Sequence, residues 1–395
     1  MRTVHLWAPD LFSTGGIQTF SRHFLDALGE QVPSKEIRVL LKSDLPEVAR
    51  CRNGLHHVNT FGGWPKILRT PRFTSACVLQ AWRERPRLII SMHLNFGPVA
   101  QLVKEIVGVP YVLVAHGIDA WRLKNRARKK SLHGAERVLA VSRYTRERLI
   151  QATDLDPQRV HILPNTFSAE RFVITRKSPR LLERYGFNAQ TPIILTVCRL
   201  AGAERYKGYD QMIRALPHIL RHVPDARYLL VGSGPDRSRA ERLAVELNVQ
   251  HAVVFAGLVP DEELSDYYNL CDLFAMPSKA EGFGIVYLEA LACGKPVLAG
   301  NKDGSRDALA DGELGLLVDP DDTAEIASET VRVLRRQHTH LNLFRPEILR
   351  QRVTEQFGYD RFKDKVADRL RPFLEATADN RPLAAEDGRS AVISG

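Results

Sequence analysis

The chain has few cysteines, and they are scattered. Its 395 residues include five of them, and no two form a C-x-x-C pair. This excludes a disulfide scaffold and a cysteine-rich zinc site, and an odd set of separate thiols is typical of a reducing compartment. The five are Cys51, Cys77, Cys198, Cys271 and Cys293.

Long apolar runs are absent as well. The longest, about residues 107–115, is interrupted by Gly108 and Pro110 and is far shorter than the ~20 residues of a membrane-spanning helix. Near the start, Arg2 is soon followed by Pro9 and Asp10, which leaves no apolar core for a signal peptide. We expect a cytoplasmic protein, and peripheral attachment to the inner face of the cell membrane stays open.

Acidic residues are scarce in the first half of the chain. Residues 1–165 hold 25 Lys and Arg against 13 Asp and Glu, a net charge of +12, whereas the remainder carries −2. The excess predicts an anionic partner, either nucleic acid or a membrane, and a solvated basic face without a partner is the alternative. No nucleic-acid-binding motif accompanies the charge, so a membrane surface is favoured.

The positive charge has two local peaks. The first, residues 122–130, is flanked by Trp121 and Leu132. Basic side chains next to amphipathic aromatics suit a lipid headgroup layer. The second peak consists of Lys66, Arg69, Arg72, Arg83, Arg85 and Arg87, interleaved with Trp64, Phe73 and Trp82.

Short apolar runs alternate with amphipathic stretches along the whole chain, and such runs are typical of buried parallel strands. In the first half they predict strands at residues 3–8, 37–42, 88–92, 111–115, 138–142 and 161–163. In the second half they predict strands at residues 193–197, 227–232, 253–256, 272–276, 296–299 and 315–318. The length also exceeds what one hydrophobic core usually serves. We therefore predict an α/β protein of two doubly wound sheets, with a break between Pro164 and Pro192 and a ligand in the cleft between the sheets.

The strongest local signal is the run from Ser278 to Ala290, which contains Glu281-Gly-Phe-Gly284 and Glu289. It follows a predicted strand and opens a helix, whose free N–H groups attract an anion such as phosphate. A carboxylate on that helix can accept two adjacent ribose hydroxyls. The alternatives are an ordinary surface position for Glu289 and a helix-start acid for Glu281.

Other strand ends carry polar residues that face the expected cleft. Arg199 and Lys207 look exposed and suit the neutralisation of a diphosphate leaving group, with solvated loop charge as the alternative. Gly15 and Gly16 follow the first strand, and His116 follows the strand at residues 111–115. No G-x-G-x-x-G fingerprint, Walker loop or H-E-x-x-H zinc helix occurs, and we expect no metal site.

Taken together, these residues resemble the retaining glycosyltransferases of family 4. That family has the GT-B architecture, in which two Rossmann-like doubly wound domains face each other across a cleft. The resemblance covers nearly the whole chain through the order of its motifs. They are Gly15-Gly16, His116-Gly117, Pro164-Asn165, Arg199, Lys207-Gly208, Gly232-Ser-Gly-Pro235, Val254-Phe255-Ala-Gly257, Glu281-Gly-Phe-Gly284 with Glu289, and Ala290-Leu-Ala-Cys-Gly-Lys-Pro-Val297.

The resemblance implies a role for each matched position. Glu289 would hold the ribose hydroxyls, and Arg199 and Lys207 would hold the diphosphate. His116 and Glu281 would face the donor sugar, so these two and the two cations are the expected catalytic residues. The expected nucleotide-binding positions besides Glu289 are Gly15, Gly16, Gly232, Phe255, Phe283, Gly284, Ile285 and Val286.

The resemblance also implies domain limits. Residues 1–170 would form an acceptor-side domain and residues 171–355 a nucleotide-sugar-binding domain. Residues 356–375 would form a helix that packs back on the first domain, and residues 376–395 a disordered tail. One departure follows Asn165, where the family has a small, Gly-containing run ending in Asp and this chain has Thr166-Phe-Ser-Ala-Glu170. The linker contacts of the family are therefore in doubt here.

The implied function is metal-independent, retaining transfer of a hexose-type sugar. The donor would be a UDP-sugar or a GDP-sugar, with no other cofactor, and the acceptor a glycan or a polyprenyl- or lipid-linked molecule in polysaccharide, exopolysaccharide or lipopolysaccharide synthesis. The alternatives are a nucleotide-sugar epimerase or a phosphorylase on the same plan, and a non-catalytic basic binding module. Nucleic acid is not expected as a partner. The donor base, the donor sugar and the acceptor stay open.

Overall fold

The fold is described by a computed structural model for residues 3–50, 57–121, 123 and 125–375. The predicted disordered tail at residues 376–395 lies outside the described residues, as do Arg122 and Lys124 of the first basic peak. The side chains of Ala49 and Arg50 are likewise not described.

The first half of the chain forms a seven-stranded parallel sheet with the order β3-β2-β1-β4-β5-β6-β7. The strands are apolar and almost completely buried except at the β3 edge, so helices cover both faces. The strands are β1 (Val4–Ala8), β2 (Ile37–Leu41), β3 (His57–Thr60), β4 (Leu88–Ser91), β5 (Tyr111–Ala115), β6 (Arg137–Ala140) and β7 (Val160–Ile162).

The second half forms a six-stranded parallel sheet with the order β10-β9-β8-β11-β12-β13. Both sheets have their first strand inside, so the strand order reverses between β1 and β4 and between β8 and β11. Such reversals open a crevice at the carboxyl ends of the strands. The strands are β8 (Ile193–Val197), β9 (Arg227–Val231), β10 (Val253–Gly257), β11 (Leu273–Met276), β12 (Val297–Gly300) and β13 (Leu316–Val318).

The prediction of two doubly wound parallel sheets is confirmed, and the twelve predicted strands are all present to within two residues at each end. The prediction of six strands for the first sheet is wrong, because it omits β3. This strand lies at the sheet edge, its residues alternate between exposed and half-buried, and it has the polar sequence His-Val-Asn-Thr. It therefore lacks the short apolar run that predicts each of the other strands.

Helices connect the strands and cover both sheets. In the first half they are α1 (Gly16–Gly29), α2 (Pro46–Arg50), α3 (Lys66–Glu84), α4 (Gly97–Val107), α5 (Ile118–Trp121), α6 (Arg126–Gly134) and α7 (Arg143–Thr153). In the second half they are α8 (Pro179–Tyr185), α9 (Tyr209–His222), α10 (Arg237–Glu246), α11 (Leu264–Leu270), α12 (Ile285–Ala292), α13 (Ser305–Ala308), α14 (Thr323–Leu334), α15 (Pro346–Phe357) and α16 (Tyr359–Leu374). None of the helices in these described stretches combines the length and the apolar character that crossing a bilayer requires.

The segment after β7 joins the two sheets through buried contacts. Phe167, in the run that departs from the family pattern, is buried in an apolar cluster that extends from the α1 side of the first sheet into the second. The hydroxyl of Ser168 lies 3.2 Å from Nε2 of His23 on α1. Although residues 166–170 depart from the family pattern, the linker is still packed against the first sheet. The domain limits at residues 170 and 355 stay predictions.

The last helix returns to the first half of the chain. On α16 the ring of Phe362 packs edge-on against Phe20 of α1, with 5.5 Å between ring centroids. On the same helix Lys363 forms an ion pair with Glu30 at 3.2 Å. Phe20 also contacts the ring of His116 edge-on, with 5.1 Å between ring centroids. The packing of α16 thus extends through one aromatic ring to a residue of the expected cleft.

This packing predicts that Phe362→Ala lowers the stability of the protein. Phe362 is 2% exposed, and truncation of a buried Phe typically costs about 3–5 kcal/mol. The thermal unfolding midpoint should fall clearly. The matched control is Arg361→Ala on the exposed face of the same helix, which should change stability by no more than about 0.5 kcal/mol. Equal midpoints for the two variants would contradict the packing of α16.

Candidate functional site

A cleft lies where the carboxyl ends of the two sheets face each other. It has two connected parts, with volumes of about 510 Å³ and about 250 Å³. Both parts are lined by Gly16 and Ile285, which open α1 and α12, and by Glu204 and Lys207. The segments that meet here follow strands β1, β8 and β11. These strands lie at the two reversals of strand order.

The cleft brings together most residues that the sequence analysis selected. The larger part is lined by Gly15, Gly16, Arg199, Lys207, Gly232, Ile285, Val286 and Glu289. The smaller part is lined by Gly16, His116, Lys207, Glu281, Phe283, Gly284 and Ile285. Phe255 lines neither part. It lies on β10 with the guanidinium of Arg237 5.6 Å above its ring, and Leu258 and Val259 after the same strand line the cleft instead.

Two helix N-termini face each other across the cleft. A Cβ atom built on Gly16 would lie 4.0 Å from Cδ1 of Ile285, so the starts of α1 and α12 are close. Gly15 precedes α1 and Gly284 precedes α12, and neither helix start is capped by a side chain. The free N–H groups and the positive ends of the helix dipoles therefore favour an anion between them.

Lys207 and Glu281 form an ion pair inside the cleft, with 2.9 Å between Nζ and Oε2. The expectation that Lys207 is exposed is wrong, because its side chain is only 16% exposed. Burial alone would lower the pKa of Lys207, but the charge of Glu281, the neighbouring Tyr206 and the hydrogen bond to Glu281 together outweigh it and hold the pKa above its ordinary value. The ammonium group therefore stays charged at neutral pH.

Arg199 is the more accessible of the two cations. Its side chain is 65% exposed, as expected, and Nη1 lies 3.1 Å from Oε1 of Glu204. Between Arg199 and Lys207 the chain forms a short 3-10 turn, Gly202–Lys207, and it then enters α9 through Gly208, whose φ is +86°. The two cations therefore reach the cleft from one loop after β8.

Glu289 lies on α12, in the wall of the larger part of the cleft. Its Oε2 atom accepts a hydrogen bond from the hydroxyl of Tyr268 at 2.7 Å. Burial raises the pKa of Glu289 to about 7, although the Tyr268 hydrogen bond opposes the shift. An ordinary surface position is therefore excluded for this residue. Near pH 7 the carboxyl group is present in both forms, and only the ionised form accepts hydrogen bonds with both oxygens.

His116 is held as a neutral ring. Its Nε2 atom lies 2.8 Å from the carbonyl oxygen of Met92 and donates to it, which leaves Nδ1 as an acceptor. Burial lowers the pKa of His116 to about 4. The residue follows β5 and lines the smaller part of the cleft. Its Nδ1 atom can accept a hydrogen bond from a hydroxyl group there, whereas the single proton of the neutral ring, on Nε2, is already donated to Met92.

Glycines allow three loops to approach each other at the cleft. A Cβ atom on Gly282 would lie 1.9 Å from the carbonyl oxygen of His116, and one on Gly304 would lie 2.1 Å from the carbonyl oxygen of Gly282. The hydroxyl of Thr145 also donates to the carbonyl oxygen of Gly282, at 3.3 Å. The loop between β11 and α12 is therefore held between the first domain and the turn that precedes α13.

An ion pair continues this contact between the two halves. Arg143 at the start of α7 reaches Asp307 on α13 with 2.7 Å between Nε and Oδ1, and Asp311 with 2.7 Å between Nη2 and Oδ2. The backbone N–H of Arg143 also donates to Asp307, at 3.1 Å. The carboxylate of Asp307 thus occupies the N-terminus of a helix in the other half.

The sequence analysis missed Asp303, which holds the Glu281 loop in place. Its side chain is completely buried and accepts hydrogen bonds from the hydroxyl of Ser278 at 2.5 Å and from the backbone N–H of Glu281 at 2.6 Å. Burial raises the pKa of Asp303 to about 6. In sequence it stands in the polar run Asn301-Lys302-Asp303, which is indistinguishable from a surface loop.

Four further residues line the cleft that the sequence analysis did not select for the site, and only Asn165 among them lies in a recognised motif. Arg171 and Asp261 lie at the Glu289 end of the larger part, with 4.0 Å between Nη1 and Oδ2. The other two, Asp119 and Asn165, lie in the smaller part. Asn165 belongs to the Pro164-Asn165 motif, to which no role was assigned.

Two family models match the chain, one in each half. The model described as Glycosyltransferase Family 4 matches residues 14–171, and the model described as Glycosyl transferases group 1 matches residues 178–345. The structure of sucrose-phosphate synthase from Thermosynechococcus elongatus superimposes with a TM-score of 0.78 at 22% identity, covering 95% of this chain and 100% of that chain. This similarity supports the two-domain GT-B fold.

Curated relatives have similar sequences. One is the GDP-mannose-dependent alpha-(1-6)-phosphatidylinositol monomannoside mannosyltransferase of Mycolicibacterium smegmatis, which is 39% identical over 202 residues. That alignment covers 49% of this chain and 52% of the relative, so the chain matches about half of its length. The protein of the same name from Mycobacterium tuberculosis H37Rv is 31% identical over 312 residues, covering 73% of this chain and 78% of the relative. The resemblance inferred from the motifs is thus confirmed, and the chain belongs to glycosyltransferase family 4.

Proposed function

We propose that the chain transfers mannose from GDP-mannose to an inositol-containing glycolipid, with retention of the anomeric configuration. The observation that carries the proposal is the cleft in which the uncapped starts of α1 and α12 lie close together, and which Lys207, Arg199 and Glu289 also line. The choice of donor and acceptor is supported by the names of the mannosyltransferase relatives. This glycolipid belongs to the wider class of glycan and lipid-linked acceptors.

The diphosphate of the donor would lie between Gly16 and Ile285. Helix N–H groups would bind it from both sides, and Arg199 and Lys207 would supply fixed positive charge. As the bond from the sugar carbon to the phosphate oxygen breaks, negative charge grows on that oxygen. Cations in place before the reaction stabilise this charge without reorganisation. We therefore propose that the leaving group needs no metal ion.

The nucleoside would extend from the diphosphate towards Glu289. The carboxylate of Glu289 would accept hydrogen bonds from both ribose hydroxyls. Beyond it, Asp261 presents a half-exposed carboxylate to the cleft. Guanine has two adjacent N–H donors on one edge, whereas uracil has one, so a carboxylate at this end favours guanine. This arrangement supports GDP-mannose over a UDP-sugar.

The acceptor hydroxyl would attack the sugar carbon from the same face that the diphosphate leaves. The new bond joins the acceptor oxygen to that carbon, the phosphate oxygen takes the bonding electron pair, and the acceptor proton passes to the leaving phosphate. At neutral pH the single ring proton of His116 is on Nε2 and is donated to the carbonyl oxygen of Met92, so its proposed part is to position the sugar through Nδ1. Glu281 is paired with Lys207, and its proposed part is to fix that cation beside the leaving group.

Binding of the donor tests the proposal directly. A ligand present at 100 times its dissociation constant stabilises the folded state by about 2.7 kcal/mol. In a panel of nucleotide sugars, GDP-mannose should therefore raise the thermal unfolding midpoint more than UDP-sugars with the same or related hexoses. A larger shift with a UDP-sugar would contradict the assignment of the base, and no shift with any donor would contradict the proposed function.

The pKa of Glu289 predicts that donor affinity depends on pH. Because the ionised carboxylate is the form that accepts two ribose hydroxyls, protonation below about pH 7 should weaken binding. Well below the pKa, the dissociation constant of GDP should rise by about tenfold for each unit of decreasing pH. Calorimetry between pH 8 and pH 5 measures this change.

The matched control is Glu289→Gln, whose side chain does not titrate. This variant should bind GDP weakly, with little change between pH 8 and pH 5. Tyr268→Phe removes a hydrogen bond that lowers the pKa of Glu289, so its loss of affinity should begin at a higher pH. The same pH profile for the wild type and Glu289→Gln would show that another group is responsible.

Substitution of Lys207 and of Arg199 should have different effects on stability. Each alanine substitution should lower kcat by about 10²–10³-fold, which is typical for loss of one charge-stabilising group. Lys207→Ala should also destabilise the protein by about 3–5 kcal/mol, because it leaves Glu281 buried without its partner. Arg199→Ala should leave the unfolding midpoint nearly unchanged, since its side chain is largely exposed. Activity is measured with a chelator present, and wild-type activity that requires added Mg²⁺ would contradict the metal-free proposal.

We also propose that the first domain attaches reversibly to an anionic membrane surface. On α3, Leu68, Leu79 and Trp82 are exposed and lie on one helical face, and Ile67 beside them is 84% exposed. The guanidinium of Arg72 stacks 3.5 Å above the exposed ring of Trp64. Each basic side chain near an anionic membrane surface contributes about 1 kcal/mol to the free energy of binding.

Two residues of the expected patch do not belong to it. The structure corrects the placement of Phe73 and Leu132 in the basic clusters, because both are buried in the core of the first domain. Proximity in the sequence does not show which way a side chain points, and each of the two points inward from its helix. The exposed face of α3 and Trp64 thus form the apolar part of the proposed membrane surface, and exposed cations of the first basic peak, such as Arg126 and Lys130, stay part of the proposal.

Vesicle sedimentation tests this surface. The wild type should bind anionic vesicles at low salt, less so as salt rises, and neutral vesicles weakly. Trp82→Glu should reduce binding about tenfold or more, whereas Leu341→Glu, at an exposed apolar position in the second half, should not. Equal binding to neutral and anionic vesicles, or equal effects of the two substitutions, would contradict membrane attachment through α3.

A further inference from the structure

The loop that leads into α1 has little apolar packing in its middle. Residues 9–15 follow β1 and lead to Gly16, which lines both parts of the cleft. Leu11 near the start of the loop is completely buried, whereas Ser13 and Thr14 are exposed. The burial of Leu11 fixes the start of the loop, and the position of the remainder depends on polar contacts.

The buried carboxylate of Asp44 contacts the start of this loop. Its Oδ2 atom accepts a hydrogen bond from the backbone N–H of Leu11 at 2.6 Å, and the backbone N–H of Phe12 donates to the same carboxylate. Asp44 is only 7% exposed, and its own carbonyl oxygen accepts a hydrogen bond from the N–H of Gly62 at 3.0 Å. Asp44 is therefore anchored to the segment after β3 and fixes the loop before α1.

Helix α1 holds the same loop from its other side. The guanidinium of Arg22 donates to the carbonyl oxygen of Leu11 at 2.5 Å and to that of Ser13 at 3.4 Å. Leu11 thus has its N–H bonded to Asp44 and its carbonyl oxygen bonded to α1. Through this one residue, Asp44 is connected to the helix whose start lines the cleft.

Asp303 has the equivalent position in the second sheet. Asp44 lies three residues after the end of β2, which pairs with β1, and Asp303 lies three residues after the end of β12, which pairs with β11. The loops after β1 and β11 are those that lead into α1 and α12. Each helix start that meets in the cleft therefore has a buried aspartate bonded to the backbone of the loop before it.

This equivalence points to a task that the two aspartates share. An anion between two helix starts is bound well when both sets of N–H groups are oriented towards it before it arrives. A loop that had to be ordered on binding would lose part of the affinity to the cost of that ordering. Support for only one of the two loops would leave the other half of the anion site without a fixed orientation.

We propose that Asp44 is a positioning residue for the diphosphate of the donor, because it holds residues 10–15 so that the start of α1 faces the start of α12. The assignment rests on the proposed function, since it requires a nucleoside diphosphate in the cleft. Asp44 lines neither part of the cleft, and it acts through the backbone of Leu11 and Phe12.

The test compares GDP with guanosine, which lacks the diphosphate, by calorimetry. Asp44→Ala should raise the dissociation constant of GDP by about tenfold or more, the effect of losing one hydrogen bond to a charged group, and leave that of guanosine unchanged. Asp44→Asn keeps one acceptor oxygen for the backbone, so its GDP affinity should lie between those of the wild type and the alanine variant.

Catalysis gives a second measurement. Because displacement of a positioned group by about 1 Å can cost about 10²-fold in rate, kcat/KM for GDP-mannose should fall by up to this factor in Asp44→Ala. The loss should again be smaller in Asp44→Asn, whose side chain has the same size and which carries the comparison if the alanine variant does not fold.

Glu36→Ala is the matched control. Glu36 directly precedes β2, at the opposite end of the strand that Asp44 follows, and it is also 7% exposed. Its carboxylate forms an ion pair with Arg87, with 3.7 Å between Oε2 and Nη2. Removal of this buried acid should lower the thermal unfolding midpoint but leave the dissociation constants of GDP and guanosine, and kcat/KM, unchanged.

The outcomes separate positioning from a general structural role. If Asp44→Ala behaved like Glu36→Ala, with reduced stability and unchanged GDP affinity, the assignment would be overturned. Equal weakening of GDP and guanosine would also overturn it, because the defect would then not be confined to the diphosphate. Failure of the wild type to bind GDP would instead contradict the proposed function itself.

Discussion

The whole site depends on a backbone contact that only glycine permits. The loop that carries Glu281 passes so close to the carbonyl oxygen of His116 that a Cβ atom on Gly282 would lie 1.9 Å from it. On the other side, Gly304 packs against the same loop, and Asp303 binds its backbone. The loop is therefore held between the two sheets. Any larger residue at Gly282 would separate His116 from the Lys207–Glu281 pair and divide the cleft.

The charges in the cleft follow from this geometry. Two uncapped helix starts leave N–H groups without partners, and Lys207 adds a permanent positive charge that burial alone would suppress. Its pairing with Glu281 keeps the ammonium charged and orients it. Removing one partner would leave the other charge buried alone, which costs several kcal/mol. The site is thus arranged for an anion before any ligand arrives, as stabilisation of a leaving group requires.

The sequence predicted the parts of the molecule that have a regular pattern. Buried strands such as β5 and β8 appear as short apolar runs, and their order predicted both sheets. Edge strand β3 has no such run and was missed. In the site, Glu281 and Glu289 were marked by the motif that opens α12. The burial of Lys207 and the support from Asp303 arise from contacts between distant loops, and isolated charged residues carry no sign of such contacts in the sequence.

We propose that both halves of the chain act together to move a sugar from a nucleotide to an acceptor hydroxyl. The most direct measurement is the release of GDP from GDP-mannose with and without a phosphatidylinositol mannoside acceptor, followed by NMR of the glycosidic linkage in the product. We expect GDP release to depend on the acceptor and the linkage to keep the α configuration of the donor. Acceptor-independent release, no release, or an inverted β linkage would contradict it.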